Sequence, residues 1–314
     1  MVTGAAASNG LATGNFRGIA PEVNIISVAT DYTRQNWLQT VAEAVDYIYD
    51  KADSLGMPCV INASIGTYVG SHDGKDIAAR MIDQMIKARS GRAFVCAAGN
   101  AGAFKFHLQH KLQNDTNFSW FEYSPSLFSN QGGVYFEAWA DTNDLNNTTF
   151  SIGADKLNGN TFSFRGRTSF DSISNRLNVV YQDSILNPNQ QKIADVLSYA
   201  ELSQGRYRIS FALVSPDSTQ YLYRLETRGI GKLDIWSNNL LTGTSNIKNT
   251  NLPLVSFNPE MRYYKKADSL QTMASSFTCL PSVITVGNYV NRNTYLDVNN
   301  NLQNMGATPG AISV

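Results

Sequence analysis

The sequence predicts an α/β fold in which a parallel sheet with flanking helices is interrupted by an antiparallel β-sandwich. Residues 1–103 alternate nearly continuous apolar runs with amphipathic helical stretches, a pattern typical of parallel strands covered on both faces. From 104 to 272 the apolar residues recur with period two, which indicates half-buried antiparallel strands. A continuous apolar run returns at 280–290. We therefore expect a first part of an α/β core at 1–103, an inserted sandwich at 104–272 and a return to the core at 273–314.

Three apolar runs of the first part are expected to be strands: VNIISVA at 23–29, PCVINASIG at 58–66 and RAFVCAAGN at 92–100. Two stretches between them, WLQTVAEAVDYIYDKADSLG and GKDIAARMIDQMIKARSG, repeat apolar residues at helical spacing, and each finishes at a glycine. Strands alternating with helices predict a parallel sheet with right-handed crossovers. The run LPSVITVGNYV then supplies a further strand of that sheet.

Six runs of the middle block alternate apolar and polar residues, with Asn, Asp, Ser and Gly between them. In GRYRISFALVSP, for example, Tyr207, Ile209 and Phe211 face one way while Arg208 and Ser210 face the other. Such runs predict an antiparallel sandwich. The other five runs are GVYFEAWAD, TTFSIGA, LNVVYQDSIL, QYLYRLETRG and GKLDIWSNN.

Composition limits the possible partners of the chain. Of its 314 residues 43% are hydrophobic, which is ample for a core. Lys plus Arg equals Asp plus Glu at 25 each, and no basic run occurs, so we expect no nucleic-acid partner. The apolar stretches are shorter than the roughly 20 residues that a transmembrane helix needs. The oligomeric state is left open. The cysteines, Cys59, Cys96 and Cys279, lie in or beside apolar runs, and we expect small buried hydrophobes rather than disulfides.

Two strand ends carry residues that strand interiors disfavour. The second predicted strand closes at Ser64, Ile65 and Gly66, and the third closes at Asn100 between glycines. In open α/β sheets, binding and catalysis take place at the carboxyl ends of the strands. The alternative is structural, because Asn tolerates a left-handed turn and glycine suits an ordinary strand-to-loop turn.

Five segments, in this order, resemble the subtilisin-like serine proteases. VTGAAASNG resembles the helix start that follows the histidine motif of the family, and GIAPEVNIISVA resembles its first conserved strand. VINASIG, CAAGNAG and PSVITVGNY are similar to the family's VINMSLG, AAGNxG and PxVIxVGA patterns. The matches cover roughly residues 2–103 and 268–295. The intervening block is similar to the jelly-roll insert of some bacterial subtilases, so the sheet is expected to be a subtilisin-like one.

The resemblance implies a role for each residue at the two strand ends. Asn100 would donate its side-chain amide to the oxyanion of the tetrahedral intermediate. Ser64, Ile65 and Gly66 would line the floor and edge of the substrate cleft, where a peptide adds as an extra strand. The implied partner is a protein or peptide substrate, and the implied location is secreted or associated with the cell envelope.

The triad motifs of the family are missing from this sequence. No HGTH-type histidine motif, no GTSMA-type serine motif and no matching first-strand aspartate occur, and His72, His107 and His110 occupy none of the triad positions. We therefore expect an internal fragment of a serine endopeptidase that is itself inactive. Two alternatives remain: a non-catalytic subtilase scaffold whose sandwich binds protein or glycan, and a chain whose sandwich is the main functional unit.

No cofactor is predicted. HLQH, residues 107–110, would place two histidines on one face of a helix, but no third metal ligand is evident, which favours a packing role. SNGLATGNFRG, residues 8–18, is rich in oxygen ligands yet has no acidic residue, so calcium there is only a minor alternative.

Overall fold

The computed structural model describes residues 2–12, 14, 16–31, 37–99, 104–125, 132–237, 246–268, 274–289, 293–297, 299–306 and 312–313. The helices are α1 Val2–Ala7, α2 Trp37–Ser54, α3 Ile77–Lys87 and α4 Thr142–Leu145. The strands are β1 Cys59–Ala63, β2 Arg92–Ala97, β3 His107–Glu122, β4 Ser124–Pro125, β5 Gly132–Asp141, β6 Thr148–Asn158, β7 Thr161–Arg167, β8 Asp171–Ser172, β9 Val180–Leu186, β10 Lys192–Ser203, β11 Arg206–Val214, β12 Leu222–Ser237, β13 Ile284–Val286, β14 Asn288–Tyr289, β15 Thr294–Leu296, β16 Leu302–Asn304 and β17 Ile312–Ser313.

A small parallel sheet is formed by β1, β2 and β13, with β2 in the middle. Helices α2 and α3 contribute to one core with this sheet, because their apolar stripes and the inward side chains of β1 and β2 are buried together. Asp76 caps α3, and its side chain accepts a hydrogen bond from the backbone N–H of Ala79 at 2.9 Å. Residues central to this core are Val41, Val45, Ile82, Phe94 and Phe277.

Seven antiparallel strands close into a barrel, in the order β12, β5, β11, β10, β9, β7, β6 and back to β12. Strand β3 runs along nearly the whole of β12 as an added strand outside this ring. Inward side chains from β5, β6, β9, β10, β11 and β12, among them Phe136, Phe150, Ile209 and Phe211, fill the interior, and Phe121 of β3 packs with them. Closure removes the free edges that an open sheet would expose.

The ring closes where β12 changes partner. Residues 222–229 of β12 pair with β6, whereas 234–237 pair with β5. Two glycines at this point have positive φ, Gly229 at +125° and Gly231 at +149°. A Cβ on Gly229 would lie 2.0 Å from the backbone O of Asn147, and one on Gly231 would lie 2.1 Å from the backbone O of Asp144. Only glycine therefore lets the turn between β5 and β6 approach β12 so closely.

A second layer covers part of the outside of the barrel. Residues 246–265 lie over β3, where Phe118 and Trp120 pack with Leu222 and Met261 in a separate small core. Phe118 also forms a parallel bridge with Tyr264. This layer explains why large aromatic residues occur on the side of β3 that faces away from the barrel interior.

Three expectations are wrong. The fold class of a parallel subtilisin-like sheet with flanking helices does not describe the molecule, because antiparallel strands dominate and the described parallel sheet has only three strands. The antiparallel β-sandwich expected at 104–272 is instead a closed barrel, since β12 pairs on both sides of its glycine bend. The run at 23–29 lies outside any strand and is largely exposed. An apolar run shows that a segment can be buried, but it does not supply a pairing partner.

Candidate active site

The carboxyl ends of β1 and β2 lie side by side. The two strands pair in parallel up to Ala63 and Cys96, so the residues after them leave the sheet at the same edge. Ser64, Ile65 and Gly66 follow β1 directly. The last described residue after β2 is Gly99, with φ +111°, and the predicted oxyanion donor Asn100 lies outside the described residues.

Ser64 and Gly66 are exposed at this edge, whereas Ile65 is half-buried and packs against the core of α2, α3 and the parallel sheet. The Ser64 hydroxyl accepts a hydrogen bond from the side-chain amide of Asn62 at 3.4 Å. All three residues lie outside any strand of the structure. The geometry is compatible with a cleft edge.

Gly66 has a structural reason to be glycine. A Cβ there would lie 2.8 Å from the Oγ of Ser275. That Oγ accepts a hydrogen bond from the backbone N–H of Thr67 at 2.8 Å, and the bond is buried. Close approach of the 275–276 segment, rather than of a substrate, therefore already accounts for the missing side chain.

A buried polar cluster holds the loop after Gly66. Ser71 and Ser276 both donate their hydroxyls to Oδ2 of Asp76, the Ser71 bond at 3.0 Å. Ser276 Oγ also accepts from the backbone N–H of His72 at 3.0 Å. Ser276 is fully buried, and its hydroxyl points to the carboxylate rather than to the imidazole. The cluster contains Ser, His and Asp but lacks the serine-to-histidine relay of a triad.

The imidazole of His72 stacks on the barrel instead. Its ring lies 4.3 Å from that of Trp236 with the planes 9° apart, and His107 packs against the same indole, also at 4.3 Å. Burial lowers the pKa of His72 to about 4. His72 is therefore neutral at pH 7, and its contacts serve packing.

Glu137 on β5 fixes the loop to the barrel. Its Oε2 accepts from the backbone N–H of Gly70 at 3.2 Å and from the indole N–H of Trp139 at 3.2 Å. Its Oε1 accepts from the Tyr135 hydroxyl at 2.7 Å and pairs with Arg208. Burial alone would raise the pKa of Glu137, but the charge of Arg208 and these hydrogen bonds hold it below its ordinary value. The carboxylate is thus ionised and well satisfied despite being buried.

The helical spacing assigned to HLQH is wrong, because residues 107–110 belong to β3. His110 is fully buried and bonds Thr227 Oγ1 at 2.9 Å and Ser119 Oγ at 3.0 Å. Within the part of the chain that the structure describes, no group of three His, Cys, Asp or Glu side chains could hold a metal ion. Residues 13 and 15 of the candidate calcium loop lie outside the described residues, so that alternative stays a prediction.

The sequence did not point to the residues that hold this loop. Asp76, Ser276 and Glu137 are far apart in the chain, and each belongs to an ordinary-looking segment. Only Asp76 had a local signal, as a helix N-cap residue before an apolar stripe.

A scan of protein families matches residues 1–204 to the subtilase family, Peptidase_S8. The chain belongs to the subtilase family. Among solved structures, this subtilase is similar to the CspB protease of Clostridium perfringens, at 16% identity and a TM-score of 0.60. The alignment covers 96% of this chain and 56% of the CspB chain, so the chain spans little more than half the length of that protein. At this identity the likeness concerns the fold.

A search of curated proteins gives no significant match to this subtilase. Among its described helices, none is long and apolar enough to cross a membrane.

Proposed function

We propose that this chain contributes the oxyanion donor and the cleft edge of a subtilisin-like serine endopeptidase that hydrolyses protein substrates through an acyl-enzyme. The observation that carries the proposal is the adjacency of the ends of β1 and β2, within the segment matched to the subtilases. The described chain after β2 ends at Gly99, beside the edge where Ser64 and Gly66 are exposed, and our proposal assigns the oxyanion role to the next residue, Asn100. A donor and a peptide-binding edge must lie together for a scissile carbonyl to reach both.

The nucleophile and its base come from outside this sequence in our proposal. Ser276 is buried, and its hydroxyl is bonded to the Asp76 carboxylate. The imidazole of His72 packs between its loop and the barrel, and those of His107 and His110 are buried in the barrel strand β3. A hydroxyl needs a base within hydrogen-bond reach to attack a carbonyl. The chain alone is therefore expected to hydrolyse no peptide bond. We also propose that the protease acts outside the cytoplasm, secreted or at the cell envelope, as the family resemblance implies.

A fluorophosphonate probe tests whether this chain contains its own nucleophile, because the probe labels serines that a base activates. The purified chain should remain unlabelled under conditions that label an active subtilase in the same tube. It should also leave a denatured protein substrate intact, as judged by mass spectrometry. Labelling of the folded chain that disappears in Ser276→Ala would show an internal nucleophile and contradict the proposal.

The alternative of a non-catalytic scaffold makes a different prediction. A scaffold would gain no hydrolytic activity from any partner, whereas the proposed protease becomes active when the triad-bearing segments are supplied. Adding increasing amounts of the triad-bearing segments to the purified chain and measuring peptide hydrolysis distinguishes the protease from the scaffold.

A further inference from the structure

An exposed apolar turn belongs to the layer that covers β3. Leu254, Val255 and Phe257 are 53%, 52% and 60% exposed, and Ser256 between them is exposed as well. Single exposed apolar side chains are common on protein surfaces, whereas large apolar side chains that are exposed together mark interaction sites. Residues 254–257 are called the apolar turn below.

The apolar turn is anchored on both sides. The carbonyl of Leu254 accepts hydrogen bonds from the backbone N–H groups of Phe257 and Asn258, both at 3.0 Å, which closes the turn. Before the turn, Leu252 packs against the small core outside β3, and after it Met261 is buried in that core. These anchors keep the side chains of the turn on the surface, where a partner can meet them without a change of backbone.

The segment that carries the apolar turn is basic. Residues 246–268 contain four Lys or Arg and two Asp or Glu. Of these, Glu260 lies 3.5 Å from Arg224 of β12, which offsets its charge. Arg262 and Lys266 are exposed, and in the part of the chain that the structure describes neither has a carboxylate within ion-pair distance. Two positive charges of this segment are therefore left for an external anion.

Arg262 is close enough to the apolar turn to contact the same partner. It lies on the short 3-10 helix Pro259–Tyr263, which begins two residues after Phe257. So short a stretch of chain places the two backbones within roughly 15 Å of each other. The guanidinium of Arg262 lies over the ring of Tyr263, 4.6 Å from its centroid. Arg and Tyr beside an apolar surface are typical of the boundary between lipid and water.

We propose that the apolar turn inserts into the surface of a membrane that contains anionic lipids. Its three apolar side chains would enter the boundary between headgroups and acyl chains, while Arg262 and Lys266 pair with lipid phosphates. An apolar groove of a partner protein would accept the turn but would leave the two cations unused. A lipid surface supplies the apolar layer and the anions together. The proposal does not depend on proteolysis.

Sedimentation of the purified chain with phospholipid vesicles tests the proposal. Vesicles of equal parts phosphatidylcholine and phosphatidylglycerol should bind the chain with a partition constant on the order of 10³–10⁴ M⁻¹, up to that of one myristoyl chain. Phosphatidylcholine vesicles should bind at least about fivefold more weakly, and added salt should weaken binding to the anionic vesicles. Absence of binding to the anionic vesicles, or equal binding to both kinds, would overturn the proposal and favour a protein partner.

Substitutions locate the contact. Phe257→Ala removes the largest apolar side chain of the turn and should weaken binding to the anionic vesicles about tenfold. Tyr47→Ala is the matched control, because Tyr47 is 52% exposed but lies on α2, and it should leave binding unchanged. Arg262→Gln should lower the preference for anionic vesicles about fivefold. Equal binding of Phe257→Ala and Tyr47→Ala would contradict the assignment to the turn.

Tryptophan reporters measure insertion directly. The four native tryptophans are buried, so lipid-borne quenchers should leave their emission unchanged. Phosphatidylcholine brominated on its acyl chains, mixed with phosphatidylglycerol, should quench the added emission of Phe257→Trp. It should leave Tyr47→Trp as bright as it is without bromine. Both variants exchange one exposed aromatic side chain for another, so their melting temperatures should match that of the unmodified chain. Equal quenching of the two reporters, or of neither, would overturn the proposal.

Discussion

The imidazole of His72 lies flat against the indole of Trp236, with ring centroids 4.3 Å apart. His72 belongs to the loop between β1 and α3, and Trp236 belongs to β12 of the barrel. The stack therefore joins the candidate active-site loop to the barrel. Arg206 of β11 adds an ion pair to Asp73 of the same loop at 2.6 Å. The barrel thus holds the segment that continues from the cleft edge.

The first prediction concerns acid pH. Burial lowers the folded-state pKa of His72 to about 4 and that of His110 to about 3. The unfolded chain, with His pKa near 6.5, binds these protons at a higher pH. Stability is then fully present above about pH 6.5 and falls as the pH drops toward 4, by on the order of a few kcal/mol in total. Urea unfolding at several pH values between 7 and 4.5 measures this loss, and His72→Asn should reduce its slope to the part that His110 contributes. An unchanged slope in the variant would contradict the assignment.

Glu137 supplies the second prediction, because it is a buried carboxylate with four partners. Glu137→Ala leaves Arg208 without its buried partner and should lower the free energy of unfolding by about 3–5 kcal/mol. Glu201→Ala is the control, since Glu201 also pairs with Arg208, at 3.2 Å, but is partly exposed. That variant should cost about 1 kcal/mol or less. Similar losses in the two variants would show that burial is not what makes Glu137 important.

The third prediction tests how the barrel closes. Gly229→Ala and Gly231→Ala place a methyl group against backbone oxygens about 2 Å away and should each destabilise the chain by more than about 3 kcal/mol. Gly205 also has positive φ, +75°, but a Cβ there meets nothing within 4 Å. Gly205→Ala should cost only the backbone strain, about 1 kcal/mol. Chemical denaturation of the three variants decides the matter, and equal losses would count against a close-approach role.

The sequence predicted the local elements better than their assembly. Helices α2 and α3 lie within the two stretches that carry helical periodicity, and each of the six runs with period two overlaps one of the strands β5, β6, β9, β11 and β12. Closure of the barrel could not be predicted, because it depends on β12 pairing with two different strands. The hydrogen bonds that Gly70 donates to Glu137 and Ser276 donates to Asp76 join residues 67 and 200 positions apart, and nothing local in the sequence indicates them. The strand ends themselves could be singled out from residue types that strand interiors disfavour, but the roles of their residues came only from the family resemblance.

The fourth prediction separates two reasons for Gly66. Gly66→Ala should be destabilised, because its methyl group would lie 2.8 Å from Ser275 Oγ. The double variant Gly66→Ala with Ser275→Ala removes that clash and should recover part of the melting temperature. In the active protease, the double variant should still show a raised KM if a substrate strand must approach residue 66 closely. A KM equal to that of Ser275→Ala alone would assign the glycine to packing and remove it from the cleft edge.

The most direct test of the account is the turnover of Asn100→Ala in the active protease that contains this chain. An amide that bonds only to the developing oxyanion stabilises the transition state, so kcat should fall while KM stays near its original value. The expected loss is about a hundredfold to a thousandfold, a range taken from the asparagine donor of subtilisin, itself a member of this family. The melting temperature should change little. Unchanged kcat together with a lowered melting temperature would make Asn100 a turn residue and contradict the catalytic role.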